Sequence, residues 1–188
     1  MKNSFYKLAL AIIFFACQSP EKPATETTLP AQTQSPDVDT RLAELGIELP
    51  EVPAPVANYV PAVRTGNLVF LSGQGPKKPD GTWLAGKLGE DLTIEDGYEA
   101  ARLTGIQLLA ALKSEIGDLN KVKRVVKVMG MVNAAPDFSE HPKVVNGFSD
   151  LMVEVFGDKG KHARAAVGMG SLPFNIACEI EMIVEVED

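Results

Sequence analysis

The tightest constraint in this chain is a stretch in which nearly every second residue is apolar. Ile176, Cys178, Ile180, Met182, Val184 and Val186 alternate with Glu179, Glu181, Glu185 and Glu187. Successive side chains of a strand point to opposite faces, so this segment can bury one face while the other carries glutamates. Wound as a helix, the same residues would be scattered around the cylinder. The chain must therefore build a sheet with one covered face and one face of mixed character.

The segments upstream supply what covers it. "DLTIEDGYEAARLTGIQLLAALKSEIGDL" predicts a helix, with Thr93 as its cap, Glu95 and Asp96 at the positive end of the dipole, and Gly117 as its stop. Ala101, Gly105, Leu108, Leu109, Leu112 and Ile116 form its apolar stripe, with Gly105 expected where the helix approaches the sheet. A second helix is expected from His141 to Phe156, stopped by Gly157. Strands are expected at Tyr59–Arg64 and Leu68–Ser72, joined by a tight turn, and in the valine-rich run 121–134, where Gly130 marks a bend or bulge. Two more, near Arg164–Met169 and Ile176–Val186, are expected to form a terminal hairpin. The order is ββαβαββ, an α+β mixed sheet with two helices on one face. Such chains often close the uncovered face by oligomerising.

The first residues bear on compartment. Lys2 and Lys7 precede an apolar run from Leu8 to Ala16 and then Cys17, the layout of a secretory signal. Phe14-Phe15-Ala16-Cys17 resembles the lipobox of bacterial lipoproteins, which implies lipidation at Cys17 and a periplasm-facing lipoprotein of the bacterial cell envelope. Residues 18–40, rich in Pro, Thr, Gln and Ser, read as a flexible tether. The expected divisions are thus a signal peptide at 1–16, a lipidated cysteine and tether at 17–40, and one domain at 41–188. The membrane would be met only through the lipid. Cys178, the other cysteine, falls on the apolar side of the last strand as a buried free thiol.

The formal charge of −7 argues against general nucleic-acid binding. With His141 and His162 the only histidines, and no convergent spacing of acids, no metal site is expected. "SGQGP" lacks the Lys-Ser/Thr ending of a phosphate loop, and Ser72 has no nucleophile-elbow setting. Arg164 admits two readings: an anchor for the carboxylate of a small acid, or an ion pair with a glutamate of the neighbouring strand. Glu179, placed where a cross-strand partner could face Arg164, is a general acid or base or a solvated carboxylate. Tyr59 could simply pack, and Asn146, on an otherwise apolar helix face, needs a polar partner if buried.

Several segments together resemble the Rid (YjgF) family of enamine and imine deaminases, in its divergent branch labelled endoribonuclease L-PSP. They are "ANYVPAVRTGNLVFLSGQGP", "GDLNKVKRVVKVMGMVNAAPDF", "VVNGFSDLMVEVF" and "ARAAVGMGSLPFNIACEIEMIV". The resemblance implies a chorismate-mutase-like fold, homotrimers with inward-facing sheets, and ligand clefts between subunits. By the same resemblance Arg164 binds the substrate carboxylate, Glu179 helps orient the attacking water, and Tyr59, Gly73 and Asn146 complete the substrate site. Ala166 stands where a cysteine is common and would act through its backbone. Phe148 and Ser149 replace the family's aromatic pattern, and Gly75 takes the place of a bulky apolar residue. The implied reaction is hydrolysis of 2-enamino or 2-imino acids to 2-keto acids and ammonia, without a cofactor. A trimer that binds a small carboxylate-bearing metabolite without turnover is the alternative. Ribonuclease activity is disfavoured by the acidic charge.

Overall fold

The computed structural model describes residues 37–52 and 58–187. Cys17, the signal segment and most of the expected tether lie outside the described residues. Strands β1 (Ala62–Thr65), β2 (Leu68–Gln74), β3 (Val122–Asn133), β4 (Ala163–Met169) and β5 (Cys178–Val186) form one sheet in the order β1-β2-β5-β3-β4. Helices α2 (Ile94–Ile116) and α3 (His141–Phe156) cover one face, and a short helix α1 (Val38–Glu44) packs at their end. This is the mixed α+β architecture expected, with one helix more.

Local chemistry fixes each helix. In α2, Thr93 Oγ1 accepts from the Asp96 amide while the Asp96 carboxylate accepts from the Thr93 amide, a reciprocal cap. Gly117 ends it at φ 80°, and Gly157 ends α3 at φ 60°, both in a region glycine enters without strain. α1 starts ahead of the domain boundary expected at Arg41, because Asp37 caps it through the Thr40 amide.

The covered face is the apolar one. Ile180, Met182, Val184 and Val186 of β5 and Val69 of β2 are buried there, as are Val128 and Val132 of β3. Burying a side chain of this size stabilises by about 1.5–3 kcal/mol relative to leaving it exposed. α2 and α3 cross closely: a Cβ on Gly147 would strike the carbonyl of Tyr98. Gly105 serves that contact too: a Cβ there would come within 2.7 Å of Leu151 and 3.2 Å of Phe148, both of α3, rather than meeting the sheet as expected. Gly130 makes room for Val145 in regular pairing; the register of β3 shifts instead between Val122 and Arg124 and between Val125 and Lys127.

The largest departure is the position of β5. No terminal hairpin forms; β5 enters between β2 and β3, antiparallel to both, and β4 pairs in parallel with the outer side of β3. A parallel neighbour across α3 satisfies the crossover rule, and the apolar side of β5 gains helices over its whole length in the centre. β4 is left at the edge. β1 begins at Ala62, so Tyr59 precedes it, half exposed. On the uncovered face Val63 and Phe70 stand opposite each other, 54% and 42% exposed, beside Ile183, which pairs with Phe70 from β5.

Candidate functional site

Arg164 is the second residue of the edge strand β4 and turns toward α3. Its Nη1 donates to Asn146 Oδ1 at 3.0 Å and to Ser149 Oγ at 2.9 Å, and Nη2 donates to the Pro142 carbonyl at 3.3 Å. Asn146 and Ser149 lie three residues apart and so share a side of the helix. Both Nη1 protons are thereby used. Among the described residues nothing accepts from Nε, and Nη2 has given one of its two protons to Pro142, so Nε and one Nη2 proton are the donors left for a carboxylate. Among the described residues no glutamate pairs with Arg164, and β3, the strand beside it, carries none, which removes the ion pair expected with a neighbouring strand.

His162 stands on the far side of Ser149. Its Nε2 is 3.0 Å from Ser149 Oγ and its Nδ1 2.7 Å from the Gly160 carbonyl, with the ring edge-on to Phe148. Burial holds the imidazole below its usual pKa; the Gly160 acceptor opposes that and the Arg164 charge adds to it. Sequence reasoning weighed His162 only as a metal ligand and Ser149 only as a departure in shape. The signal available was a polar pair, Asn146 and Ser149, one helical turn apart on an apolar helix.

Glu179 and Gly73 form a separate group. The two share the uncovered side of the sheet, where β2 loses register with β5 after Leu71, and a Cβ on Gly73 would meet Glu179 Oε1. Burial, then the neighbouring Glu181, raises the carboxyl pKa of Glu179. No hydrogen bond or ion pair from the described residues reaches that carboxylate. At Gly75, two residues on, a Cβ would come within 2.8 Å of Ile176 and 3.2 Å of Trp83, which accounts for the absence of a bulky residue there.

These groups do not converge within one chain. Glu179 is in register with Met131 and Arg164 with Val128, on opposite sides of β3. That places them about 10 Å apart across the strands and about 10 Å along them. They also use opposite faces: Gly130, which pairs with Ala166 and Ile180, faces α3, so Glu179 faces away. The expectation that Glu179 faces Arg164 across a hairpin fails because β3 intervenes. Ala166 is two residues beyond Arg164 on the same face. Tyr59 precedes β1, at the opposite edge of the sheet.

Among the described residues, no group of three or more His, Cys, Asp or Glu side chains converges as metal ligands, and no helix is long and apolar enough to cross a membrane. Cys178 is buried, its thiol pushed up to about 12 chiefly by burial, so it is no nucleophile at neutral pH. A surface hollow of about 940 Å³ lies between the segment after α1 and α2, lined by Ile47, Leu49 and Lys113, away from both clusters.

Residues 39–186 match the protein family described as "YjgF/chorismate mutase-like, putative endoribonuclease". Protein TCP17 of Trypanosoma cruzi is 44% identical over 152 residues, 80% of this chain and 95% of that protein. A protein of Dermatophagoides farinae named 2-iminobutanoate/2-iminopropanoate deaminase is 30% identical over 142 residues, 75% of this chain and 95% of its own length. Among solved structures, a protein of unknown function from Agrobacterium tumefaciens superimposes with a TM-score of 0.74 at 43% identity, covering 80% of this chain and 92% of the other.

Proposed function

We propose, from the premise that this chain belongs to the YjgF/Rid family of chorismate-mutase-like proteins, that it hydrolyses small 2-imino and 2-enamino acids to 2-keto acids and ammonia. The observation that carries the reading is the pair of donors left on Arg164, Nε and the second proton of Nη2, on a guanidinium tied to α3 by its other bonds. A carboxylate docked there fixes the carbon next to it, which in these substrates is the one that must be attacked.

The reaction asks little else of the protein. Water adds to the carbon of the C=N bond, giving a carbinolamine, and loss of the amine as ammonia leaves the ketone. Both protons must leave the attacking water, one as the carbinolamine forms and one as it collapses, and two must reach the nitrogen. Glu179 suits that transfer, because burial brings its carboxyl closer to neutral pH than an exposed glutamate. An enamine first takes a proton on carbon and enters the same path.

Since Glu179 and Arg164 of one chain face opposite sides of the sheet, they can share a substrate only across two copies. The uncovered face with Val63, Phe70 and Ile183 supports such an assembly, and the proposed unit is a homotrimer with a cleft at each junction. The segment Lys2–Cys17 supports export and attachment by lipid at Cys17; incorporation of labelled palmitate, lost in Cys17→Ser, checks it. Imines generated in situ by an amino-acid oxidase test the activity, with wild type and Arg164→Ala compared. Acceleration of keto-acid release that the variant loses supports the deaminase. Saturable keto-acid binding with no acceleration would make the protein a binder of small carboxylates.

A further inference from the structure

We propose that Ser149 and His162 form a positioning relay for Arg164, the imidazole fixing the hydroxyl and the hydroxyl fixing the guanidinium, with Nε and one Nη2 proton left for a ligand. The inference rests on the reading that Arg164 receives a carboxylate, and assigns what sets that residue's aim.

The direction of every bond in the relay follows from its two ends. The Gly160 carbonyl can only accept, so the proton of a neutral His162 sits on Nδ1, 2.7 Å away. Nε2 then has a lone pair and takes the hydroxyl proton of Ser149 at 3.0 Å. With its proton committed, Oγ turns a lone pair to Arg164 Nη1 at 2.9 Å. Nη1 gives its other proton to Asn146. Both Nη1 protons are thus filled and Nη2 gives one of its own to the Pro142 carbonyl of α3, which leaves Nε and the second Nη2 proton for a ligand.

Ser149 has an alternative it does not take. A serine inside a helix commonly returns its hydroxyl to the carbonyl one turn back, whereas this hydroxyl is spent on two side chains from outside α3. The relay also requires a neutral imidazole. A second proton would turn Nε2 into a donor and set a cation beside Arg164. The surroundings oppose that proton. Arg164 is the charged group bearing on His162; Asp158 and Lys161 pair with each other at 2.6 Å, the Lys159 ammonium sits on the Val122 carbonyl, and Asp150 of α3 accepts from Tyr98. From β3 the nearest charge in register is Lys127, opposite Ala163 and exposed.

Calorimetry with pyruvate, the simplest 2-keto acid, on the full chain tests the relay. Ser149→Ala and His162→Gln should each weaken binding by about fivefold, the worth of one hydrogen bond. The double variant should weaken it by about fivefold also, since both break one chain of bonds, and Ser149→Thr, which keeps the hydroxyl, should restore it. The NMR titration of His162 in the wild-type protein needs no variant: saturating pyruvate should move its midpoint up, because a carboxylate on Arg164 offsets the charge facing the ring. A His162 titration indifferent to pyruvate, or Ser149→Ala and His162→Gln binding like wild type while Arg164→Ala does not, overturns the relay alone. Arg164→Ala binding like wild type overturns the carboxylate anchor and the relay with it.

Discussion

The two ends of the candidate site are held in opposite ways. Arg164 is tied by donors spent on Asn146, Ser149 and Pro142, whereas the Glu179 carboxylate has no bonded partner in the described residues and is confined by the closeness of Gly73. A cation positioned by bonds keeps its direction and two donors for a ligand. A carboxylate positioned by crowding keeps its lone pairs free and loses solvent, which is what a group that must take a proton requires.

The contrast can be broken at either end. Arg164→Ala carries the largest expected effect: two charge-assisted hydrogen bonds to a carboxylate are lost, and keto-acid affinity should fall by about a hundredfold. The same variant should shift unfolding by no more than about 1 kcal/mol, because the site is at a sheet edge and not in the core. Gly73→Ala comes next. The new methyl would occupy the place of Glu179 Oε1, so imine hydrolysis should fall by about tenfold to a hundredfold while binding of pyruvate changes little. A parallel loss of binding would mean that the two ends are not separate.

Glu179→Gln sharpens the electrostatic half of the comparison. The wild-type carboxyl titrates above the usual carboxylate range, through burial and then Glu181. As a base it works only when ionised, so the rate should climb with pH through a midpoint above that range, and the variant should lose this limb. Stability has the opposite sign. The fold favours the protonated form, so wild type should lose stability relative to Glu179→Gln as pH rises through the carboxyl pKa, the two being alike in acid. Melting temperatures of the pair across acid to neutral pH decide this. The smallest effect belongs to Phe70→Lys on the uncovered face. Stability of the isolated chain should stay within about 0.5 kcal/mol, while sedimentation should show the proposed trimer weakened and hydrolysis should fall with it. Full hydrolysis by a monomer would show that both ends serve one chain.

What the sequence made legible follows the range of the interaction. Helix α3 could be bounded from Val144, Val145, Phe148, Leu151, Met152 and Val155 at helical spacing and from Gly157, all local information. The buried side of β5 could be read from its alternation for the same reason. Its neighbours could not be, because pairing is chosen by residues far away in the chain, and the nearest strand in sequence, β4, is not among them. That one error displaced Glu179 from Arg164. Asn146 and Arg164 were singled out separately, one as an odd polar residue on a helix and the other as a lone guanidinium, and the structure joins them. His162 was missed as a partner because it lies ahead of the strand expected near Arg164–Met169, where no alternation assigns a side; β4 begins at Ala163, and the ring just before it turns to Ser149 of α3, on the side that Arg164 takes.

The place of β5 has a consequence for how the chain comes to be folded. A ribosome makes β1, β2, β3 and β4 before it makes β5. Until then the β1–β2 pair and the β3–β4 pair are two fragments of sheet with no strand in common, each exposing an edge that only β5 fills. The growing chain must carry those two unpaired edges, which are templates for pairing with other chains. Cooperative collapse waits for β5, and a substitution that slows its insertion would be felt as aggregation during synthesis before it was felt as a lower melting temperature.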